Sequence, residues 1–283
     1  MKKCIPIFLL LITLTEYAQS QNFYFAINPR FYLPLTYQAS PEYFTLERLL
    51  TSLGEFQTVY VFDKRNKFSI AKGASFGATF GFCLNNSLSS EIGLDYFDVK
   101  RTVESDYDSY VSSDWHFKTL NVVPEFSVYK HFDKYTLSVK SGPIIGLSSL
   151  EKTIYYENTR KTYKFNNNLS LGYIFGFEYD YSLNGYLSLI AEFGTQILFY
   201  TPKKAVLTEY LLNGHSIEEI SANIKEIEYV KDINFQEYYY DGMKDIYASS
   251  WDEPSKRFIE RLKLNSVFLG IGVKYKIGNN EKN

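Results

Sequence analysis

Only two cysteines, Cys4 and Cys83, occur in the 283 residues. Cys4 falls in a leader-like N-terminus, so a mature chain would keep Cys83 alone and could form no internal disulfide. The three histidines, His116, His131 and His215, are scattered, which leaves no Cys/His cluster for a structural metal and no cofactor motif. None stands in a His-x-Ser element, and Ser112 and Ser113 beside His116 read as loop residues. No nucleophile with a nearby base is in view, so the chain is expected not to be an enzyme. A formal net charge of −2 lacks the basic excess of a nucleic-acid binder. Beyond the first twenty residues no apolar run reaches the length of a membrane-crossing helix.

What is present begins with that N-terminus. Lys2 and Lys3 precede an apolar run over 5–14, and Ala18-Gln19-Ser20 offers small residues at a cleavage site. Residues 1–20 are therefore expected to be a signal peptide, and 21–283 one exported domain. Aromatic residues make up 18% of the chain, with 26 Tyr and 23 Phe, yet the mean hydropathy is only −0.22. Alternation reconciles the two figures. Leu169, Leu171, Tyr173, Phe175, Phe177, Tyr179 and Tyr181 interleave with Ser170, Gly172, Ile174, Gly176, Glu178 and Asp180. A period of two gives one apolar and one polar or small face. The aromatics are too many to fill one small barrel, so they are expected to face lipid.

Eight strands are expected, at about 23–35, 75–84, 88–100, 117–132, 135–147, 168–181, 186–200 and 264–277. Tight turns at Asn85-Asn86, Asp133-Lys134 and Asn184-Gly185 follow the second, fourth and sixth. Long segments follow the others, the largest at about 36–71 and 201–261. Segments 57–62 and 67–71 read as a hairpin within the first of these. The fold class is thus all-β: an eight-stranded antiparallel up-and-down transmembrane β-barrel with long extracellular loops. The last loop is expected to be partly helical. Short turns on one side and long loops on the other place both termini in the periplasm.

On the leader, the strand pattern and the turn alternation, the chain resembles the small bacterial outer-membrane β-barrel proteins, particularly the Bacteroidota type. The last strand resembles the signal read by the barrel-assembly machinery, with Gly272, Tyr275 and Ile277 at the spacing of a glycine followed by two apolar or aromatic residues. It departs in having Gly270 where a polar residue is usual, and in ending on a polar tail, 278–283. The resemblance implies the cell outer membrane, with outer-membrane lipid and the assembly machinery as partners. The lipid A deacylase type of barrel is not matched at its motif.

Alternation turns Arg30, Glu91, Asp95, Glu125, Lys140 and Glu192 inward. Unpaired charges in a narrow interior are costly, so Arg30 and Lys140 are expected to sit among Glu91, Glu125 and Glu192 and to plug the lumen. Lys274 and Lys276 are expected at a solvated rim. In the loops, residues 43–53 suggest a short amphipathic helix, and Ile217, Ile220, Ile224 and Ile227 suggest another. Tyr238, Tyr239, Tyr240, Tyr247 and Trp251 are candidate contacts for a protein or glycan partner. Asp241, Asp245 and Asp252 match no defined calcium loop. Three functions stay open: a plugged barrel presenting surface loops for protein, glycan or envelope contacts, an accessory subunit of a transport or secretion complex, and a lipid-modifying enzyme.

Overall fold

The computed structural model describes residues 23–36, 38–39, 44–50, 56–62, 67–104, 111–166, 168–220, 222–230, 255–258 and 262–277. The leader, the tyrosine-rich stretch holding Tyr238, Tyr239, Tyr240, Tyr247 and Trp251, and Asp241, Asp245 and Asp252 lie outside the described residues.

The chain enters as β1 (Phe23–Ile27) and β2 (Arg30–Pro34), one run interrupted at Asn28-Pro29 because proline has no N–H to give to the ladder. Then come β3 (Gln38–Ala39), β4 (Phe44–Leu50), β5 (Phe56–Phe62) and β6 (Lys67–Phe68). Long strands follow: β7 (Gly73–Cys83), β8 (Leu88–Glu104), β9 (Val111–His131) and β10 (Tyr135–Tyr156). Next are β11 (Thr159–Asn166), β12 (Leu169–Ser182), β13 (Leu187–Tyr200), β14 (Lys204–Leu212) and β15 (His215–Ser216). A four-residue helix, α1 (Ala222–Lys225), leads to β16 (Glu226–Val230), β17 (Ser255–Phe258), β18 (Leu262–Lys263) and β19 (Ser266–Ile277).

Antiparallel pairing runs from β1/β2 through β7, β8, β9, β10, β12, β13 and β19, and β19 pairs back onto β1 and β2. The pairing of β10 with β12, from Tyr135↔Tyr181 to Leu147↔Leu169, completes a ring of eight. The tight turns fall where the asparagines and glycine predict them. Asn184 Oδ1 accepts from the N–H groups of Tyr186 and Leu187, and Asn85 Oδ1 accepts from that of Ser87.

Every ring strand keeps the period of two. On β12 the outward residues Leu171, Tyr173, Phe177 and Tyr179 are exposed, while Ile174, Glu178 and Asp180 are buried. On β19, Leu269, Ile271, Val273, Tyr275 and Ile277 are exposed while Phe268 and Lys274 are buried. Narrowness is managed by pairing large inward side chains with glycine. A Cβ on Gly81 would lie 2.3 Å from the Tyr24 ring, and one on Gly194 would lie 2.5 Å from Phe268.

Four expectations are corrected. First, the strands β8, β9 and β10 run 17, 21 and 22 residues, well past the roughly 10 residues that cross a bilayer. Ser112 and Ser113 therefore lie in β9 and not in a loop. Second, the segment after β10 is a hairpin partner: β10 pairs β11, β11 pairs β14, and β14 pairs β15 and β16. The β14–β15 turn is Asn213-Gly214, with φ of 52° and 80°, the positive pair that matches strand twist. Third, residues 44–50 form a strand paired with β5, and β6 pairs β3, so the first-loop hairpin uses other partners than 57–62 with 67–71. Fourth, the isoleucine pattern at 217–227 yields only α1, with Ile227 already in β16. The last loop is mainly strand among its described residues.

The extension beyond the ring carries its own apolar core. Trp115, Leu150, Tyr163, Phe165, Ala205, Leu207 and Ile227 are buried together, continuous with the aromatic residues of the ring.

Candidate functional site: the charged interior

The pleat sets what lines the ring. Inward positions on β8 carry Glu91, Gly93, Asp95 and Phe97, and those on β9 carry Phe117, Thr119, Asn121 and Glu125. Cross-strand register puts Glu91 opposite Glu125 and Glu178 opposite Glu192. Two pairs of like charges thus face a lumen a few side chains wide, and cations from other strands must reach them.

Lys140 of β10 does so from the centre. Its Nζ lies 2.8 Å from Glu91 Oε2 and 3.7 Å from Glu192 Oε1, and it also pairs with Glu178 Oε2. Arg30 Nε bonds Glu192 Oε2 at 2.7 Å, and the guanidinium stacks 5.1 Å over Phe268. Asn28 Nδ2 donates to both Glu192 oxygens at 3.1 and 3.0 Å. Nearer the short turns, Lys274 pairs with Glu178 and lies 3.1 Å from Asp180 Oδ2, with its Nζ 4.8 Å from the Tyr24 ring centre. Toward the long-strand end, Asp95 accepts from Ser75 Oγ at 2.6 Å and Tyr32 OH at 3.2 Å.

All six residues expected to point inward, Arg30, Glu91, Asp95, Glu125, Lys140 and Glu192, are buried. Within the expected set, Arg30 meets Glu192 and Lys140 meets Glu91 and Glu192, while the expected partner Glu125 forms no ion pair with either among the described residues. Lys274 is only 6% exposed, so its placement at a wet rim is corrected; Lys276 beside it is half-buried. Glu178, Asp180 and Asn28 were missed. Alternation on β12 already put Glu178 and Asp180 on the polar face, and that signal was sufficient to find them.

Above the charges lies an apolar layer. Tyr32, Phe97, Phe117, Leu198, Tyr200 and Leu264 fill it, and Ile70 and Ala71 from the segment before β7 fold in among them. Between this layer and Asp95 remains a cavity of about 10 Å³, lined also by Asn121 and Gln196, which is room for roughly one water. A fourth buried cation, Lys152, lies beyond the aromatic layer over the Trp115 ring at 4.5 Å.

The remaining candidates gather no catalytic arrangement. His116 Nε2 meets Asp98 Oδ1 at 2.8 Å on the outer surface, and Lys118 stands 3.5 Å from Asp98. His131 Nδ1 meets Thr136 Oγ1 at 2.8 Å near a turn, and His215 is exposed in β15. Ser113 is buried and accepts from Trp115 Nε1 at 3.1 Å. In the extension, Lys161 lies 5.0 Å over the Tyr210 ring, where burial lowers its pKa from the usual lysine range. Among the described residues no three His, Cys, Asp or Glu side chains converge as a metal centre. Of the residues resembling an assembly signal, Gly272 packs where a Cβ would lie 2.2 Å from the Ile27 carbonyl oxygen. Tyr275 and Ile277 face outward, with Tyr275 stacked on Tyr186.

No family model matches the chain, and no curated protein matches it. Among solved structures it is similar to the outer membrane protein OprG from Pseudomonas aeruginosa, at a TM-score of 0.47 and 12% identity over 92% of this chain and 98% of that one. Ail, the attachment invasion locus protein of Yersinia pestis, aligns at 0.34 and 8% over 91% and 99%. CarO of Acinetobacter baumannii aligns at 0.31 and 10% over 71% and 91%. At such scores the weight stays on the geometry of the chain itself.

The corrected placement of Lys274 has a measurable consequence. Lys274→Ala takes the cation from Asp180 and leaves Glu178 with Lys140 alone, and removing one partner of a buried pair costs about 3–5 kcal/mol. Lys276→Ala, one pleat further along, is expected to cost under about 0.5 kcal/mol. Urea midpoints in lipid vesicles distinguish the two. Equal midpoints would mean that Lys274 is solvated after all.

Proposed function

We propose that the chain is an integral outer-membrane β-barrel of eight strands, non-enzymatic, whose plugged and salt-bridged lumen makes it a rigid base for external structure. The observation that supports this most is the exterior. Each of the eight ring strands exposes large apolar side chains at alternate positions, including Phe25, Phe80, Ile92, Phe126, Leu147, Phe177, Phe193 and Ile271. Monomeric soluble proteins rarely expose contiguous apolar patches beyond a few hundred Å². Such a surface all around a paired ring has its natural solvent in hydrocarbon, where a closed ring leaves no backbone edge unsatisfied.

Aromatic residues gather at the short-turn end, where Phe132 stacks on Tyr135, Tyr135 on Tyr179, and Tyr186 on Tyr275. That is the composition of an interfacial girdle, and the shortness of the turns at this end supports a periplasmic position for them and for both termini. Gly272, Tyr275 and Ile277 then serve the barrel-assembly machinery during insertion. The extension built on β8–β11, β14 and β16 stands on the other side, outside the cell, and with the remaining loops offers the surface for protein, glycan or envelope contacts.

Two measurements test this reading. Protease added to intact cells is expected to cut within residues 205–255 and to spare Asp133-Lys134 and Asn184-Gly185. Preferential cutting at those turns would invert the orientation. In planar bilayers the purified protein is expected to insert without a large steady pore, since paired charges and an aromatic layer fill the ring. A stable porin-sized conductance would refute the plug.

A further inference from the structure

The outward wall of the ring has a gap on β13. There the outward row steps from Leu189 through Ala191 to Phe193, and the small side chain leaves space between larger neighbours. Ala191 pairs with Tyr179 of β12 and with Ile271 of β19. Ile271 is 73% exposed, more than any other large apolar side chain among the described residues. At the gap lies a groove of about 560 Å³, walled by Leu137, Val139, Phe177, Tyr179, Phe193 and Leu269. Glu178 and Glu192 also border it, but their carboxylates are held by Lys140 on the lumen side of the wall. Such a volume falls in the range of sites for small ligands, and its walls suit a hydrocarbon one.

A cation stands beside this groove, toward the short turns. Leu137 pairs with Lys130 of β9, so their two outward side chains are cross-strand neighbours. Lys130 is exposed, and its Nζ lies 5.5 Å over the Phe132 ring. Phe132 stacks on Tyr135, and Tyr135 stacks on Tyr179, which walls the groove. Interfacial aromatics thus link the cation to the groove without a break. Lys134 is exposed in the adjoining turn, where Asp133 is the one acid. No carboxylate pairs with Lys130 among the described residues.

We propose that the groove at Ala191 seats an acyl chain of one anionic phospholipid, from the leaflet at the short-turn end, with its phosphate at Lys130. The proposal rests on the membrane reading above and adds to it a site for a particular lipid class. An apolar channel, an aromatic belt and then an unpaired ammonium follow the order of tail, glycerol level and headgroup in such a lipid. A two-fold axis along the membrane normal would set a second copy's Lys130 at the same depth as the first. Charge therefore favours a phosphate over self-association at this face.

The test uses the full mature chain refolded into vesicles of phosphatidylglycerol and phosphatidylcholine in equal amounts, with matched acyl chains. The protein is extracted in mild detergent and its retained lipid is read by native mass spectrometry. One lipid is expected to stay bound, with phosphatidylglycerol preferred about fivefold, the attraction of a single lysine for an anionic headgroup. Lys130→Gln is expected to keep a bound lipid but lose the preference. Ala191→Phe fills the groove and is expected to lose the retained lipid. Lys118→Gln, toward the other end of β9, is expected to keep both. Heat-modifiable migration in every arm reports that the barrel has formed. A wild-type chain that fails to insert would overturn the membrane reading and this site with it. Insertion with no preference for phosphatidylglycerol, or retention unchanged in Ala191→Phe, would overturn the site alone. So would a dimer that Ala191→Phe dissolves, because the groove would then seat a second copy.

Discussion

The interior of a ring of eight strands is about as wide as the side chains that line it, so a charge that the pleat turns inward is stabilised chiefly by side chains of other strands. This narrowness organises the molecule. Lys140 reaches three glutamates from three different strands, and Arg30 ties β2 to β13 through Glu192. Apart from Lys140–Glu178 on the paired strands β10 and β12, these contacts skip a strand, β10 to β8, β10 to β13 and β2 to β13, and so tie strands that share no backbone hydrogen bonds. They also fix register, since a slip by one residue would turn the charges outward and the aromatics inward.

The same narrowness explains the glycines and the aromatic layer. Large inward rings such as Tyr24 and Phe268 fit because Gly81 and Gly194 stand opposite them. Past the charges, Phe97, Phe117 and Tyr200 take over as filling, and the long strands β8–β10 carry that apolar core outward into the extension. The extension is therefore continuous with the ring in both backbone and core.

How much of this the sequence revealed depended on the range of the interaction. The period of two along Leu169–Tyr181 and the turns at Asn85 and Asn184 are local, and both carried the architecture directly. Inward faces followed from the same alternation, which is why Arg30, Glu91 and Lys140 were readable as interior. Which acid Arg30 meets was not readable, because cross-lumen partners depend on strand tilt and stagger, quantities with no signature in one strand. Depth was misread for Lys274, whose nearness to the chain end suggested solvent although β1 and β13 flank it there. The isoleucines at 217–227 match helix spacing, yet pairing of β16 with β14 claims Ile227 for a strand. Tertiary pairing overrode a pattern that was locally ambiguous.

The central claim is that the outward row of each ring strand lies in lipid while the inward row is closed to both lipid and water. A nitroxide scan along Leu169–Ser182 in vesicles tests it most directly. Odd-numbered positions from 171 to 179 are expected to relax strongly with oxygen and weakly with a water-soluble nickel chelate, while even-numbered positions resist both. Access of the chelate to the odd positions would place this face in water and contradict the account; access to Glu178 or Gly176 would show an open lumen and contradict the plug.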